Sequence, residues 1–535
     1  MSWTLCPVGG VGEFGANCFV VDLAFGGRLV LDTGVALGTL EEYGVSFEVP
    51  DFSSLGKPEP FLALLSHGHD DHLKGLPLFR EAFPTTKLAA TAETWPWIRR
   101  LLGGEANGLV VKEELVFEGV QLSTIPCSHS IPGTALFRVT DDQGTLVLAT
   151  DFRLAPSALG EETDMASLVQ WGEEGVNVLL LDATNALLEN SPPSEATVAE
   201  TLAEIVARTP GAVIAVTFAS HLGRFWQLFQ AAKLSGRVVV PIGRGIEEML
   251  ALQMERVALF SPGTVRSPQE LSRFPKEQLM LVVTGSQGES FAVFPRLARD
   301  ELPHFRLGPG DTVIHAARII PGNERRLAHL FDQCVRRGAR VITAQEAPVH
   351  ASGHASLPEL VRVLEVLRPK WVVPIHGRLR QLVALADRAK LLGIRAVVTE
   401  NGCSLRYQGG SLSTHGDPQP LGRILVGLDR ESLDSAVVWE RMAAAKRGVV
   451  VAVLAIPANP QAPLPNPHIE CFGLRLPGIN RAHLASQLGG VLRHACTPLA
   501  RDPEKLRATM QGWLTAELRK RLGNPPRVVA LVVKF

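Results

Sequence analysis

Four β-type runs in this sequence stop on a side chain that can bind a metal. "RLVL" runs into Asp32, "FLALLS" into His67, "TLVLAT" into Asp151 and "WVVPI" into His376. His129, in "IPCSHSIPG", follows a strand-like stretch in the same way. Loops at the carboxyl ends of strands converge in α/β folds. Five such endings therefore restrict the chain to a fold whose strands aim at one place.

The rest of the chain agrees with that class. Short β-branched runs alternate with helical patterns throughout, as in an α/β protein. "CFVVDL" (18–23), "RLVLDTG" (28–34), "FLALLS" (61–66), "TLVLATD" (145–151) and "VNVLLLDAT" (176–184) read as strands. The prolines of "NSPPSE" (190–195) break the pattern, and a helix with Val198, Leu202, Ile205 and Val206 on one stripe follows. From there to about residue 345, "AVIAVTF", "GRVVVPI", "QLMLVVTGS", "DTVIHAA" and "ARVITA" alternate with helical segments, which predicts a second unit with a parallel sheet. "KWVVPIHG" (370–377) then resumes the strand-and-ligand texture of the first unit. Past "YQGGSLSTHGDPQPLG" (407–422), read as a linker, a third segment carries a strand at about 448–456, helices at about 480–495 and 503–521, and a closing strand. The expected divisions are 1–195, 196–345, a return over 346–405, a linker over 406–425, and 426–535.

Composition narrows the setting. With 535 residues, two to four domains are expected. The chain is 46% hydrophobic and 20% charged, a globular rather than a disordered balance. Net charge is −1, so any nucleic-acid binding needs a local basic patch. Seven dispersed cysteines without a CxxC pair speak for a reducing compartment. The N-terminus carries no secretory pattern, and no apolar run is long enough to span a bilayer. A cytoplasmic protein with no membrane partner is expected.

"LLSHGHDDHLKG" (64–75) concentrates the chemistry, with His67, His69, Asp71 and His72 within six positions. Neutral imidazoles and carboxylates suit zinc, and manganese accepts them too. Such a run can divide its ligands between two cations, and a carboxylate such as Asp151 can bridge them. Two cations roughly 3.5–4 Å apart clamp the attacking and leaving oxygens of a phosphoryl displacement. A purely structural zinc site would be closed by four ligands, commonly cysteine-rich, and this cluster has more than four candidates and no cysteine. The isolated His221, His304, His315, His415 and His494 are read as core or surface residues.

Taken in order, "GGVGEFGANCFVVD", "LVLDTG", "SHGHDDHLKGLP", "HSIPG", "ATDFR", "LLLDATNA", "TFASHLGR", "VVTGSQGE", "IIPGNE", "HASGHAS" and "PIHG" resemble the metallo-β-lactamase superfamily and, within it, the β-CASP ribonucleases of the ribonuclease J type. The resemblance covers the first 400 residues. It implies an αββα metallo-β-lactamase sandwich, an inserted β-CASP α/β domain and a small C-terminal α/β domain. It implies two divalent metal ions, Zn2+, Mn2+ or both. His67, His69 and His129 would hold one, Asp71, His72 and His376 the other, and Asp151 would bridge, with Asp32 orienting the ligand loop. Asp71 and His354 would be catalytic, His354 by protonating the leaving 3′-oxygen or steadying the phosphate. Ser352, Gly353, Ser286, Gln287, Arg224 and Arg244 are candidates for holding RNA phosphates, the arginines alternatively for internal salt bridges.

The activity implied is hydrolysis of single-stranded RNA, 5′ to 3′ and also internally, in RNA processing and decay. A homodimer and other RNA-decay proteins are the implied partners. Competing readings are a β-CASP nuclease acting on DNA or on RNA 3′ ends, and a non-catalytic RNA-binding scaffold. His221, Ala316, Ala317 and "ASGHAS" depart from the family pattern, all on the substrate side.

Overall fold

The computed structural model describes residues 2–534 apart from 39, 105, 107, 113, 253–263, 321, 460, 475–479 and 498–501. It divides into two compact units, one of Met1–Leu37 with Val49–Arg423 and one of Gly38–Glu48 with Ile424–Phe535.

Two sheets face one another in the first unit. One has eight strands in the order Ser411–Thr414, Leu405–Gln408, Trp3–Gly9, Cys18–Asp22, Arg28–Leu31, Leu62–Leu64, Lys87–Ala90 and Leu109–Val110. The other has seven, in the order Arg395–Ala396, Trp371–Ile375, Val178–Asp182, Gly144–Ala149, Ala135–Asp141, Val120–Pro126 and Glu114–Phe117. Phe19, Leu29, Leu31, Leu62 and Leu64 of the first share one buried core with Leu122, Phe137, Leu146, Leu148 and Leu180 of the second. Leu168 and Trp171 of the helix Met165–Glu174 and Leu360 and Leu364 of Leu357–Leu367 extend that core. The strands most uniformly apolar in sequence, Val178–Asp182 and Trp371–Ile375, run parallel in the middle of their sheet, where both faces are covered.

Between these two strands the chain makes a long excursion into a five-stranded sheet, ordered Val238–Ile242, Leu279–Val283, Val213–Val216, Thr312–His315 and Arg340–Ile342. Every pairing in it is parallel, as the strand–helix alternation predicts. The helix Glu195–Arg208 opens the excursion behind the two prolines. Ser194 caps it by accepting from the Thr197 N–H, and Val198, Leu202 and Val206 form its buried stripe.

The linker reading of 406–425 needs correction. Leu405–Gln408 and Ser411–Thr414 form a hairpin that extends the first sheet at Trp3–Gly9. Gly409 and Gly410, with φ of 56° and 80°, make the two-residue turn that looked like linker composition. Leu405, Tyr407 and Leu412 are buried in the core, each such side chain stabilising by about 1.5–3 kcal/mol.

The second unit contains a three-stranded sheet ordered His468–Phe472, Val449–Ile456 and Arg527–Lys534. Alternate residues Val450, Ala452 and Leu454 turn inward onto Leu484, Leu488 and Leu492 of the helix Arg481–Cys496 and Leu506, Met510, Leu514 and Leu518 of Pro503–Leu522. Residues 38–48 belong to this unit, although their position in the chain puts them with the N-terminal domain.

Candidate metal centre

The ligand segment begins where the strand Leu62–Leu64 ends. His69, in extended backbone, is the N-cap of the short helix Asp70–Leu73. The change from extended to helical backbone sends the two halves of the motif to different places. His67 Nε2 and His69 Nδ1 lie 3.0 Å apart, and His129 Nε2 is 3.1 Å from His69 Nδ1. Asp151 Oδ2 lies 3.7 Å from His67 Nε2 and 3.4 Å from His129 Nε2. On the other side, His72 Nε2 is 3.1 Å from Asp151 Oδ1, and Asp71 Oδ2 is 3.7 Å from His72 Nε2 and 3.3 Å from His376 Nε2. Asp70 faces outward and pairs with Lys74 at 2.6 Å.

These separations fit cation sites. Four ligand atoms about 2.0–2.1 Å from a tetrahedral ion lie roughly 3.3 Å from one another. His67, His69, His129 and Asp151 form one group whose ligand atoms all lie within 4.8 Å of one another, and Asp71, His72 and His376 form another. Asp151 turns one oxygen to each. Its buried Oδ1 faces His72 Nε2 at 3.1 Å and His376 Nδ1 at 3.2 Å, close enough for ligand atoms of one ion but without the alignment of a hydrogen bond.

The electrostatics point the same way. Burial and the neighbouring histidines drive His67 well below its ordinary value, burial also lowers His69, and burial takes His129 down to about 3. These rings are neutral at pH 7, as metal ligation requires. For His72, burial is outweighed by Asp151 and Asp71, which push it up to about 10; His376 is likewise raised, by Asp151 first. The carboxylates thus draw protons onto two imidazoles, and divalent cations would answer the same excess of negative charge.

Supporting contacts set the ring orientations. Asp32 Oδ2 accepts from His72 Nδ1 at 2.8 Å and from the Ser66 hydroxyl at 2.8 Å, and its Oδ1 accepts from the Ser66 N–H at 2.7 Å. That turns His72 Nε2 toward the centre, where Asn17 Nδ2 also lies 3.0 Å from it. His129 Nδ1 donates to the Gly353 carbonyl at 2.7 Å, turning Nε2 inward in the same way. Asn17 pins the loop by donating from its backbone N–H and its side chain to the Asp71 carbonyl. Asp32 and His376 have φ of 61° and 51°, the left-handed backbone that non-glycine residues rarely adopt. Such strain, of order 1–3 kcal/mol, gathers at functional sites.

His354 reaches the same centre, its Nε2 3.7 Å from Asp151 Oδ2 and its side chain 19% exposed. Its Nδ1 donates to Asp182 Oδ2 at 2.8 Å. Asp182 ends the strand Val178–Asp182, in the same apolar-run-then-carboxylate pattern as Asp32 and Asp151. Sequence reasoning passed over it despite that signal, and over Ser66 and Asn17, which had none.

Several proposed phosphate contacts are elsewhere engaged, and these readings are corrected. Arg224 is fully buried: its guanidinium pairs with Glu195 at 2.9 Å and donates to Gln227, so of the two roles considered it has the salt bridge. Gln287 is buried, donating to the Arg318 carbonyl at 2.8 Å while its Oε1 accepts from the Ile320 N–H at 2.8 Å and from Asn323. Ser286 is buried, and its carbonyl accepts from His315 Nε2. Ser352 Oγ accepts from Asn185 at 2.9 Å and from the His354 N–H at 3.2 Å, bracing the His354 loop. Gly353 packs on the His129 ring, where a Cβ would sit 2.8 Å from Nδ1. Arg244 alone of these is exposed, on the rim of a cavity in the inserted domain.

Comparison with known proteins follows this layout. Residues 11–183 match the model of the metallo-beta-lactamase superfamily, 210–334 that of the ribonuclease J beta-CASP domain, and 341–399 that of the Zn-dependent metallo-hydrolase RNA specificity domain. The chain is 30% identical to ribonuclease J of Thermus thermophilus, covering 99% of this chain and 95% of that one. It is 32% identical to ribonuclease J of Sinorhizobium meliloti over 78% of this chain and 76% of that one. A solved protein of unknown function from Enterococcus faecalis V583 shares the fold, with a TM-score of 0.54 at 14% identity, over 76% of this chain and all of that one. Three domain matches in this order, and a 30% identical relative aligned almost end to end, lead to one conclusion: the chain belongs to the ribonuclease J family of metal-dependent ribonucleases.

Proposed function

We propose that this chain hydrolyses single-stranded RNA from the 5′ end and also internally, in RNA processing and decay in the cytoplasm, with Zn2+ or Mn2+ as its pair of cations. The observation that carries the reading is the placement of Asp151, with Oδ2 toward His67 and His129 and Oδ1 toward His72 and His376. His67, His69 and His129 would hold one cation, Asp71, His72 and His376 the other, and Asp151 both. When bound, the pair neutralises charge on the phosphate and makes water nucleophilic at neutral pH.

The remaining work falls to the chain's own groups. Hydrolysis breaks the P–O3′ bond, and His354 Nε2 is the proton donor for the leaving 3′-oxygen. Asp182 holds the opposite nitrogen of that ring, so the imidazolium that carries the Nε2 proton keeps one direction. Asn185 supports the loop by donating to Ser352 and to the His354 carbonyl, each at 2.9 Å. Asp71 is the most open of the carboxylates at the centre, on the side where a phosphate must enter.

We take the catalytic sandwich to run over 1–195 and 346–414, less the segment 38–48, with the β-CASP insertion over 196–345. A homodimer through the C-terminal domain is part of the proposal, as is association with other RNA-decay proteins. Cys6, Cys18, Cys127, Cys334 and Cys496 are buried thiols, in keeping with a reducing compartment.

Digestion of 5′-monophosphate and 5′-triphosphate RNA, with Mn2+ or Zn2+ added to chelated protein, tests the reading. Mononucleotides released from the 5′ end, faster from the monophosphate, are expected. RNA degradation that persists in chelator, or DNA turned over faster than RNA, overturns it.

A further inference from the structure

We propose that the inserted domain carries a second RNA contact, away from the metal centre. In it the Phe291 ring stacks an unpaired base, and Arg244 and Arg296 hold the phosphates on either side. It rests on the reading of the chain as a hydrolase of single-stranded RNA.

The contact is an open cavity of about 600 Å3 at the carboxyl ends of the strands Val238–Ile242 and Leu279–Val283. This volume is in the range of ordinary ligand sites. Ile242, Gly243, Thr284 and Val293 form its wall, and Arg244, Phe291 and Arg296 are its large side chains. Phe291 is 79% exposed, which for so apolar a ring leaves a flat stacking surface in water. Neither guanidinium makes a hydrogen bond or ion pair to another side chain among the described residues. Arg224, with its buried partner Glu195, is the contrasting case. Of the two acidic groups on the helix that starts at Arg244, Glu248 is taken up by Arg100 of the helix Trp95–Leu101 and Glu247 is exposed, and neither lines the cavity.

One loop joins this cavity to the metal centre. At Gln287 it is locked to the Arg318 carbonyl at 2.8 Å, and the Arg318 guanidinium donates to Asn185 at 2.6 Å. Asn185 holds Ser352 and the His354 carbonyl. Four residues after Gln287 the same loop presents Phe291, at most about 14 Å further along the backbone. An RNA strand engaged at His354 therefore needs only a few nucleotides to reach the ring. An aromatic face and arginines in one open cavity are how proteins hold single strands without reading sequence, since every base has a face to stack and every linkage a charge. A duplex, whose bases are already stacked, has nothing to offer Phe291.

Phe291→Trp gives the contact a signal that does not depend on turnover. The full chain carrying it, stripped of metal with chelator, is titrated with an oligouridylate of about ten nucleotides. Quenching of emission beyond that of the parent chain is expected. The affinity should fall about tenfold in Arg296→Glu, and also with added salt. Arg296→Lys, which keeps the charge, should retain most of it. Absence of excess quenching, while the parent chain with metals degrades the same oligomer, overturns the contact and leaves the metal-centre reading standing. Quenching by uridine monophosphate as tight as by the oligomer reassigns the cavity to a free nucleotide, and quenching by an acidic peptide but not by RNA reassigns it to a protein; either result overturns the proposal. Excess quenching in a chain that degrades no RNA with metals supports the contact and fails the hydrolase reading instead.

Discussion

Asp182 and His354 are 172 positions apart in the chain, yet the Asp182 carboxylate accepts the His354 Nδ1–H at 2.8 Å. The pair gives the ring one orientation, with Nε2 toward Asp151. His354→Ala should lower the single-turnover cleavage rate by about 100-fold or more, as loss of a positioned proton donor does. Asp182→Asn should cost about 10–100-fold with the bound-metal content unchanged. The double variant should be little worse than His354→Ala alone, because the two act as a unit. Additive losses would show that Asp182 acts elsewhere.

Asp32 acts one step behind the ligands through His72. Asp32→Asn should weaken metal binding about 10–100-fold, read by equilibrium dialysis against Zn2+ or Mn2+. Asp71→Ala should leave one ion bound per chain instead of two and reduce RNA cleavage to near background. Full occupancy by two ions in Asp71→Ala would remove this residue from the ligand set.

Two glycines are fixed by what a side chain would strike. At Gly34 a Cβ would lie 1.7 Å from the Asp71 carbonyl oxygen, so the turn after Asp32 passes against the ligand loop with no space to spare. Gly34→Ala should destabilise the fold by several kcal/mol, seen as a lower unfolding midpoint even without metal. Gly353→Ala, striking only the His129 ring at 2.8 Å, should leave the apo-protein midpoint near that of the parent and reduce metal affinity.

Acid should loosen the inserted domain at His221. Burial first, and then the nearby Arg224, hold this imidazole well below its ordinary value of 6.5. Its Nδ1 accepts from the Arg224 N–H at 3.0 Å, so the folded protein keeps it neutral. Below pH 6.5 the unfolded chain takes up a proton that the folded chain refuses. Stability is then full above pH 6.5 and lost as pH falls, at about 1.4 kcal/mol per pH unit for this one group. His221→Asn retains a cap and should flatten the fall in melting temperature between pH 6.5 and 5.

Local chemistry was the legible part of this sequence. His67, His69, Asp71 and His72 come together because one strand end and one helix start bring them there, and a spacing rule describes that. The parallel sheet of the insertion was equally plain, since its strands are apolar on both faces. Arg224, Ser286 and Gln287 were misread for the opposite reason. Whether such a side chain faces RNA or the interior depends on what packs over it, and that comes from Glu195, His315 and Arg318, distant in sequence. The hairpin at 405–414 was taken for a linker because Gly409-Gly410 reads the same in both, and only the burial of Tyr407 separates them. Asp182 could have been found, since it closes "LLLD" as Asp32 closes "LVLD".

The strand Val178–Asp182 lies beside Trp371–Ile375, with Asp182 opposite Ile375 in register. The inserted domain leaves its host beyond Asp182 and rejoins it ahead of the helix Leu357–Leu367, and the two crossings adjoin where Asn185 bridges Ser356, like a pendant on a double thread. One tether starts just past Asp182, the anchor of His354, and the other ends in the loop that carries His354 itself. A tilt of the pendant, as RNA pulls on it, would be felt first by the His354 ring and by the Gly353 carbonyl that holds His129. Substrate grip and bond breaking would then share a pivot, with strand tension as the messenger between them.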